Sequence, residues 1–129
     1  MTIELTYLVL VTALTAVLWV PYILNRIAVR GLVEAVGYPE NPKPGAPWAE
    51  RMQAAHANAV ENLAVFAALV LVAHLAGVSG EGTVFASQMY FWARLVHVIA
   101  YTLALPWVRT IAFIAGFASQ ATLAWLLLA

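Results

Sequence analysis

Apolar residues run almost unbroken through four stretches of this chain, and short polar or turn-rich segments separate them. The stretches cover residues 3–27, 48–77, 83–105 and 107–128, approximately. Each matches the roughly 20 apolar residues that a membrane-spanning helix needs. The pattern predicts an all-α integral membrane protein, a four-transmembrane-helix bundle in which residues 1–129 form a single domain.

The breaks carry turn chemistry. Between about Ala28 and Trp48 stand Gly31, Gly37, Pro39, Pro42, Pro44, Gly45 and Pro47, which predict a surface loop. Pro47 suits the first turn of the second span, where its missing N–H would be unpaired anyway. Val78–Gly82 reads as a short turn, and Pro106 starts the last connection. Pro21 predicts a kink near the end of the first span. That first run is too long for a signal-peptide core and begins with Glu4 rather than Lys or Arg, so it is expected to be a retained helix.

Composition narrows the function classes. Hydrophobic residues make up 64% of the chain, charged residues 9%, and the mean hydropathy is +0.89. A soluble domain carries about 25% charged residues, so a soluble enzyme and a disordered tail are excluded. The net charge is zero, which leaves no basic face for nucleic acid. The absence of cysteine excludes disulfides, thiolate metal sites and a protein thiol nucleophile. No metal site is expected, because His97 has no ligand partner at the right spacing on its helix.

Lys and Arg placement sets the expected orientation. Arg26, Arg30, Lys43 and Arg51 surround the first connection and Arg109 lies by the third, while the second has none. The first loop is therefore expected to be cytoplasmic and both termini outward. Trp19, Tyr22, Trp48 and Trp107 then fall at the inner interface, with Phe85, Tyr90 and Trp125 toward the outer one.

Ionisable residues inside spans cost roughly 2.5–3.5 kcal/mol on insertion scales and point to function. Glu61 and Arg94 lie at matching depth, roughly 16 Å from the inner end at 1.5 Å rise per residue, and are expected to pair. The same arithmetic matches Asn58 with His97 and Ala54 with Tyr101. Arg51, Ala54, Asn58 and Glu61 share one helix face; Tyr90, Arg94, His97 and Tyr101 share another. Arg26, Arg51 and Arg109 rim this layer. A single Glu–Arg pair could be a packing device, and an intramembrane Asn is often interhelical glue. Four strongly polar groups with Tyr101 and three arginines suit a small anion bearing one positive end. His56 and His74 read as structural, and Ala112, Gly116 and Gln120 as a helix-packing face.

The segment Glu50–Glu61 (ERMQAAHANAVE), with Arg94–Tyr101 (RLVHVIAY) and Pro106–Thr110 (PWVRT), resembles the MAPEG family, membrane-associated proteins in eicosanoid and glutathione metabolism, in its bacterial-type members. The resemblance covers nearly the whole chain. It implies a homotrimer with glutathione as co-substrate, bound between protomers in the cytoplasmic half. Carried over position by position, it implies glutathione contacts at Asn58, Glu61, Arg94, His97 and Tyr101, with Arg26 and Arg51 at the rim. It implies that Arg109 stabilises the glutathione thiolate, with Tyr101 or Thr110 assisting. Three positions depart from the family: Ala54 and Ala57 stand where basic residues occur, and Phe113 where some members have Tyr.

The function so implied is a membrane-bound glutathione-dependent transferase or peroxidase acting on lipophilic electrophiles, in a bacterial inner membrane. The alternative is a non-catalytic accessory subunit of a larger membrane complex, suggested by Ala54 and Phe113. A third reading, a proton-coupled exporter using Glu61, requires that carboxylate to be free of Arg94.

Overall fold

The first apolar run forms two helices almost end to end, α1 (Ile3–Val17) and α2 (Trp19–Arg30), in a computed structural model that describes all of residues 1–129. The break at Leu18 is the local effect of Pro21. Proline has no N–H to return to the Val17 carbonyl, and its ring crowds that carbonyl. The Leu18 N–H instead bonds the Thr15 carbonyl at 3.4 Å, tightening the last turn of α1. Thr2 caps α1, its hydroxyl oxygen accepting from the Leu5 N–H at 3.2 Å.

The first connection is more ordered than its breakers suggest. Helix α2 continues to Arg30, beyond the expected end near Ile27, and a short helix α3 (Leu32–Val36) follows Gly31. Residues 37–46 are irregular, as the prolines dictate. Side chains tie this segment down. The Arg30 Nε donates to the Lys43 carbonyl at 2.7 Å, and the Ala46 and Gly45 N–H groups donate to Asn25 and Glu50 at 3.0 and 2.8 Å.

Helix α4 (Pro47–Leu75) starts on Pro47. It closes with Gly77 at φ +71°, where the Val78 N–H returns to the Ala73 carbonyl at 2.9 Å. A left-handed residue there releases the chain cleanly, and glycine takes it without steric cost. Helices α5 (Glu81–Thr102) and α6 (Pro106–Leu128) complete the bundle. Their joint uses the same closure, with Leu105 N–H to Ala100 carbonyl at 2.8 Å, but the left-handed residue is Ala104 at φ 59°.

Three segments are long and apolar enough to cross a membrane: α1–α2 (Ile3–Arg30), α4 and α6. The expected fourth span, α5, falls short of that composition. Its inward face explains the shortfall: Thr83, Ser87, Tyr90, Arg94 and His97 are all buried. Helix α5 packs against α1, α4 and α6, so this face meets protein. A helix shielded by its neighbours does not need the uniform apolarity that lipid demands.

Two apolar clusters flank the polar middle of the bundle. One joins Val11, Phe66, Val70, Ala86, Tyr90 and Leu123, with the Phe66 and Tyr90 rings stacked at 3.9 Å and 6°. The other joins Leu18, Ala55, Ala59 and Val98. Between α5 and α6 the small residues Ala93, Ala112 and Gly116 allow close approach. A methyl group placed on Gly116 would sit 3.6 Å from the Arg94 Cδ, an ordinary contact.

That spacing makes a graded prediction. Gly116→Ala should leave the thermal unfolding midpoint in detergent nearly unchanged. Gly116→Leu should lower stability by about 1–3 kcal/mol through overpacking. Equal effects of the two would contradict the close α5–α6 contact.

Candidate functional site

The most buried charge is Arg94, on the face of α5 turned toward α4, with 4% of its surface exposed. Its Nη2 donates to the Asn58 Oδ1 at 2.6 Å. Asn62, one turn along α4, donates from Nδ2 to the Asn58 carbonyl at 2.9 Å and to Oδ1 at 3.3 Å. Gln120 of α6 then donates to the Asn62 carbonyl at 3.1 Å. A chain of amides thus links α4, α5 and α6 around one guanidinium. The Arg94 Nε, the Tyr90 hydroxyl and the His97 Nδ1 are buried with no protein partner.

This arrangement corrects the expected Glu61–Arg94 ion pair. The guanidinium pairs with Asn58, and Glu61 is exposed on the outer face of α4. Depth arithmetic places residues along the axis but says nothing of direction around it. Glu61 lies three residues past Asn58, a rotation of roughly 300° at 3.6 residues per turn, which carries it off the α5-facing side. Asn62, four residues on, stays near the line of Asn58. Ala54, expected opposite Tyr101, is exposed.

Below Arg94 a groove opens between α4 and α6, floored by α5. Asn58, His97, Tyr101, Arg109, Thr110 and Phe113 line a space of about 320 Å³. The Arg109 guanidinium carbon lies 5.0 Å from the Tyr101 ring centroid, a cation–π contact that fixes the charge beside the groove. The His97 ring meets Tyr101 edge-on at 5.7 Å and Phe113 at 6.1 Å. Arg51 and Arg109 both line a second hollow of about 180 Å³, with Tyr101, Ala104, Leu105 and Pro106. The Arg51 Nε donates to the Thr102 carbonyl at 3.0 Å, tying α4 to the end of α5.

The structure therefore brings together Asn58, His97, Tyr101 and Arg109, with Arg51 beside them. It separates the others. Arg94 stands behind Asn58 and does not line the groove. Arg26 lies on another flank of α4, where its Nη2 donates to the Gln53 Oε1 at 3.3 Å. The Thr110 hydroxyl donates to the Pro106 carbonyl at 2.9 Å, so it is committed to the backbone and is not a free donor. No three His or Glu side chains gather as metal ligands.

One feature is not evident from the sequence. Asn62 completes the amide chain, and its i+4 spacing from Asn58 was the available signal. His56 is structural, as expected: its Nδ1 and the Tyr22 hydroxyl are 2.8 Å apart, joining α2 to α4.

The donor set suits an anionic ligand. Arg109 and Arg51 offer permanent positive charge, Tyr101 a hydroxyl and Asn58 an amide, with Phe113 on the apolar side. The Glu61 carboxylate is exposed and does not line that groove.

The sequence profile described as the MAPEG family matches residues 9–129. No match to the chain stands among the curated proteins or the solved structures.

The Arg94–Asn58 contact can be tested against Glu61. Asn58→Ala leaves a buried guanidinium without its partner and should cost about 3 kcal/mol or more. Glu61→Gln removes an exposed charge and should stay within about 0.5 kcal/mol. Thermal unfolding in detergent without ligand separates the two; the reverse order would restore the Glu61 pairing.

Proposed function

The chain belongs to the MAPEG family, and from that premise we propose a membrane-bound glutathione-dependent transferase or peroxidase acting on lipophilic electrophiles. The observation that carries this reading is the groove in which Arg109, held against the Tyr101 ring, stands beside His97 and Asn58. The proposed assembly is a homotrimer of four-span protomers, with the first loop cytoplasmic, both termini outward and the host membrane a bacterial inner membrane. A second copy would supply what one chain lacks. It would bring a surface such as the Arg26–Gln53 flank toward the exposed Glu61 and cover a carboxylate that lipid would penalise.

Glutathione would supply the thiol nucleophile. In the transferase reaction a carbon–sulfur bond forms, the electrophile loses its leaving group, and the thiol proton passes to solvent. In the peroxidase reaction two thiols are oxidised to a disulfide as a hydroperoxide is reduced to alcohol and water. The chain's own task is electrostatic. A free thiol has a pKa of about 8.5 and is mostly protonated at neutral pH. The Arg109 charge favours the ionised sulfur, and the Tyr101 hydroxyl can donate to it. Thr110 is left out of this step because its hydroxyl is bonded to Pro106. Arg51 and Asn58 hold the ligand's polar groups, and Glu61 receives its ammonium. Arg94 acts through Asn58: by engaging Oδ1 it turns the amide N–H groups toward the groove.

Removing one such charge typically costs about 10²–10³ in rate. Arg109→Ala should therefore lower kcat/KM for conjugation of a chloronitrobenzene by that order, and Arg109→Lys should recover part of it. An Arg109→Ala protein with full activity would overturn the assignment.

Ala54 is the clearest departure from the family pattern, since it removes a basic contact beside Asn58. A hydrogen bond to a charged group is worth about 1.5–3 kcal/mol. Ala54→Arg should tighten glutathione binding by about tenfold or more, read by calorimetry. No gain would mean that Arg51 already fills that role. The accessory-subunit reading rests on Ala54 and Phe113, and is favoured if neither glutathione binding nor conjugation is found while one larger membrane protein co-purifies in fixed ratio.

A further inference from the structure

At the end of the bundle remote from Arg109 stands a second polar site. Glu4, at the start of α1, is buried with 5% of its surface exposed. Its Oε2 accepts hydrogen bonds from the Ser79 hydroxyl at 2.7 Å and the Thr83 hydroxyl at 2.9 Å. Both donors come from the α4–α5 turn and the first turn of α5, so the carboxylate clasps the two ends together. No Lys or Arg occurs within residues 1–25 or 52–93, so this end of the bundle offers Glu4 no lysine or arginine. The carboxylate's direct donors are neutral hydroxyls, with His74 nearby, and it borders open space.

That space is a cavity of about 250 Å³, lined by Thr2, Glu4, Val70, Ala73, His74 and Ser79 among others. Its volume is roughly eight times a water molecule's share of about 30 Å³, too large for a bare metal ion to fill. It lies where α1 begins and α4 ends, which is headgroup level for helices of membrane-spanning length. The wall chemistry is polarised: a carboxylate and hydroxyl oxygens to accept, and the imidazole of His74 to donate.

We propose that this cavity binds the headgroup of an aminophospholipid. The primary ammonium carries three N–H donors. One goes to the Glu4 carboxylate, and another to the Ser79 oxygen, whose lone pairs stay open while its proton is given to Glu4. The phosphate accepts from the His74 imidazole and the Thr2 hydroxyl. The acyl chains leave along the exposed apolar surfaces of Leu71, Val72 and Leu75 on α4. A trimethylammonium headgroup has no N–H to give, and a glycerol headgroup has no positive charge. The site should therefore separate phosphatidylethanolamine from phosphatidylcholine and from phosphatidylglycerol.

The test is thermal unfolding of the full chain in detergent with dioleoyl phosphatidylethanolamine, phosphatidylcholine or phosphatidylglycerol added at equal mole fraction. Lipid retained through purification is measured in parallel by mass spectrometry. Phosphatidylethanolamine should raise the midpoint by several degrees more than the other two and be retained at least fivefold over them. Glu4→Gln keeps an acceptor for Ser79 and Thr83 but removes the charge, and should abolish the preference. His74→Leu leaves the Glu4 clasp intact and should reduce retention severalfold, so it decides the matter if Glu4→Gln does not fold. Equal responses to the three lipids, or an unchanged preference in both variants, would overturn the proposal. So would an equal response to free phosphoethanolamine, which would make the ligand a soluble amine.

Discussion

A guanidinium in the middle of an apolar bundle must be compensated, and the compensation of Arg94 sets the geometry of everything near it. Asn58 takes one of its N–H groups at 2.6 Å, Asn62 braces Asn58, and Gln120 braces Asn62. Three helices are thereby held in fixed rotation about their own axes. Gly116 lies beside the Arg94 stem, with room for a methyl group but not for a large side chain. Apolar contact alone would not supply this: lipid tails are as apolar as leucine, so interhelical specificity in a membrane comes from packing and hydrogen bonds.

The groove is a consequence of that rotation. Turning Asn58 toward α5 aligns α4 so that Asn58 and Arg51 border it, and turns Glu61 outward. Helix α6 contributes Arg109 and Phe113 from the turn after Pro106, at a joint where Ala104 occupies a left-handed conformation. An L-residue there costs about 1–2 kcal/mol. The two ends of the bundle use opposite electrostatics: arginines gather around the groove, and the far end has a buried carboxylate held by hydroxyls.

Much of this was legible in the sequence, and the limits have physical reasons. Apolar runs and prolines located the helices, and Pro47 and Pro106 mark helix starts. Spacing alone put Asn58, His97 and Tyr101 on facing surfaces, and the structure sets all three in one groove. Axial depth does not determine rotation, so matching depths alone pair Arg94 with Glu61, whereas Asn58 holds it. Helix α5 is less apolar than the three candidate spans, because its inward face packs on three neighbours and carries polar residues that lipid would reject. Thr110 is an alternative to Tyr101 as the group that assists the thiol; the backbone claims its hydroxyl, as it commonly does for Ser and Thr within helices. Arg26 is expected at the rim both from its place beside the first loop and from the family resemblance, and in a single chain it lies on another flank of α4.

The central claim is that the charge beside Tyr101 lowers the proton affinity of a bound thiol. It is tested most directly by the ultraviolet absorbance of the glutathione thiolate on the purified protein, titrated across pH. The account predicts a saturable signal whose midpoint lies at least roughly one pH unit below the free-thiol value of about 8.5. That shift corresponds to about 1.4 kcal/mol of preference for the ionised sulfur. A midpoint equal to that of free glutathione, or no saturable signal at millimolar ligand, would contradict it.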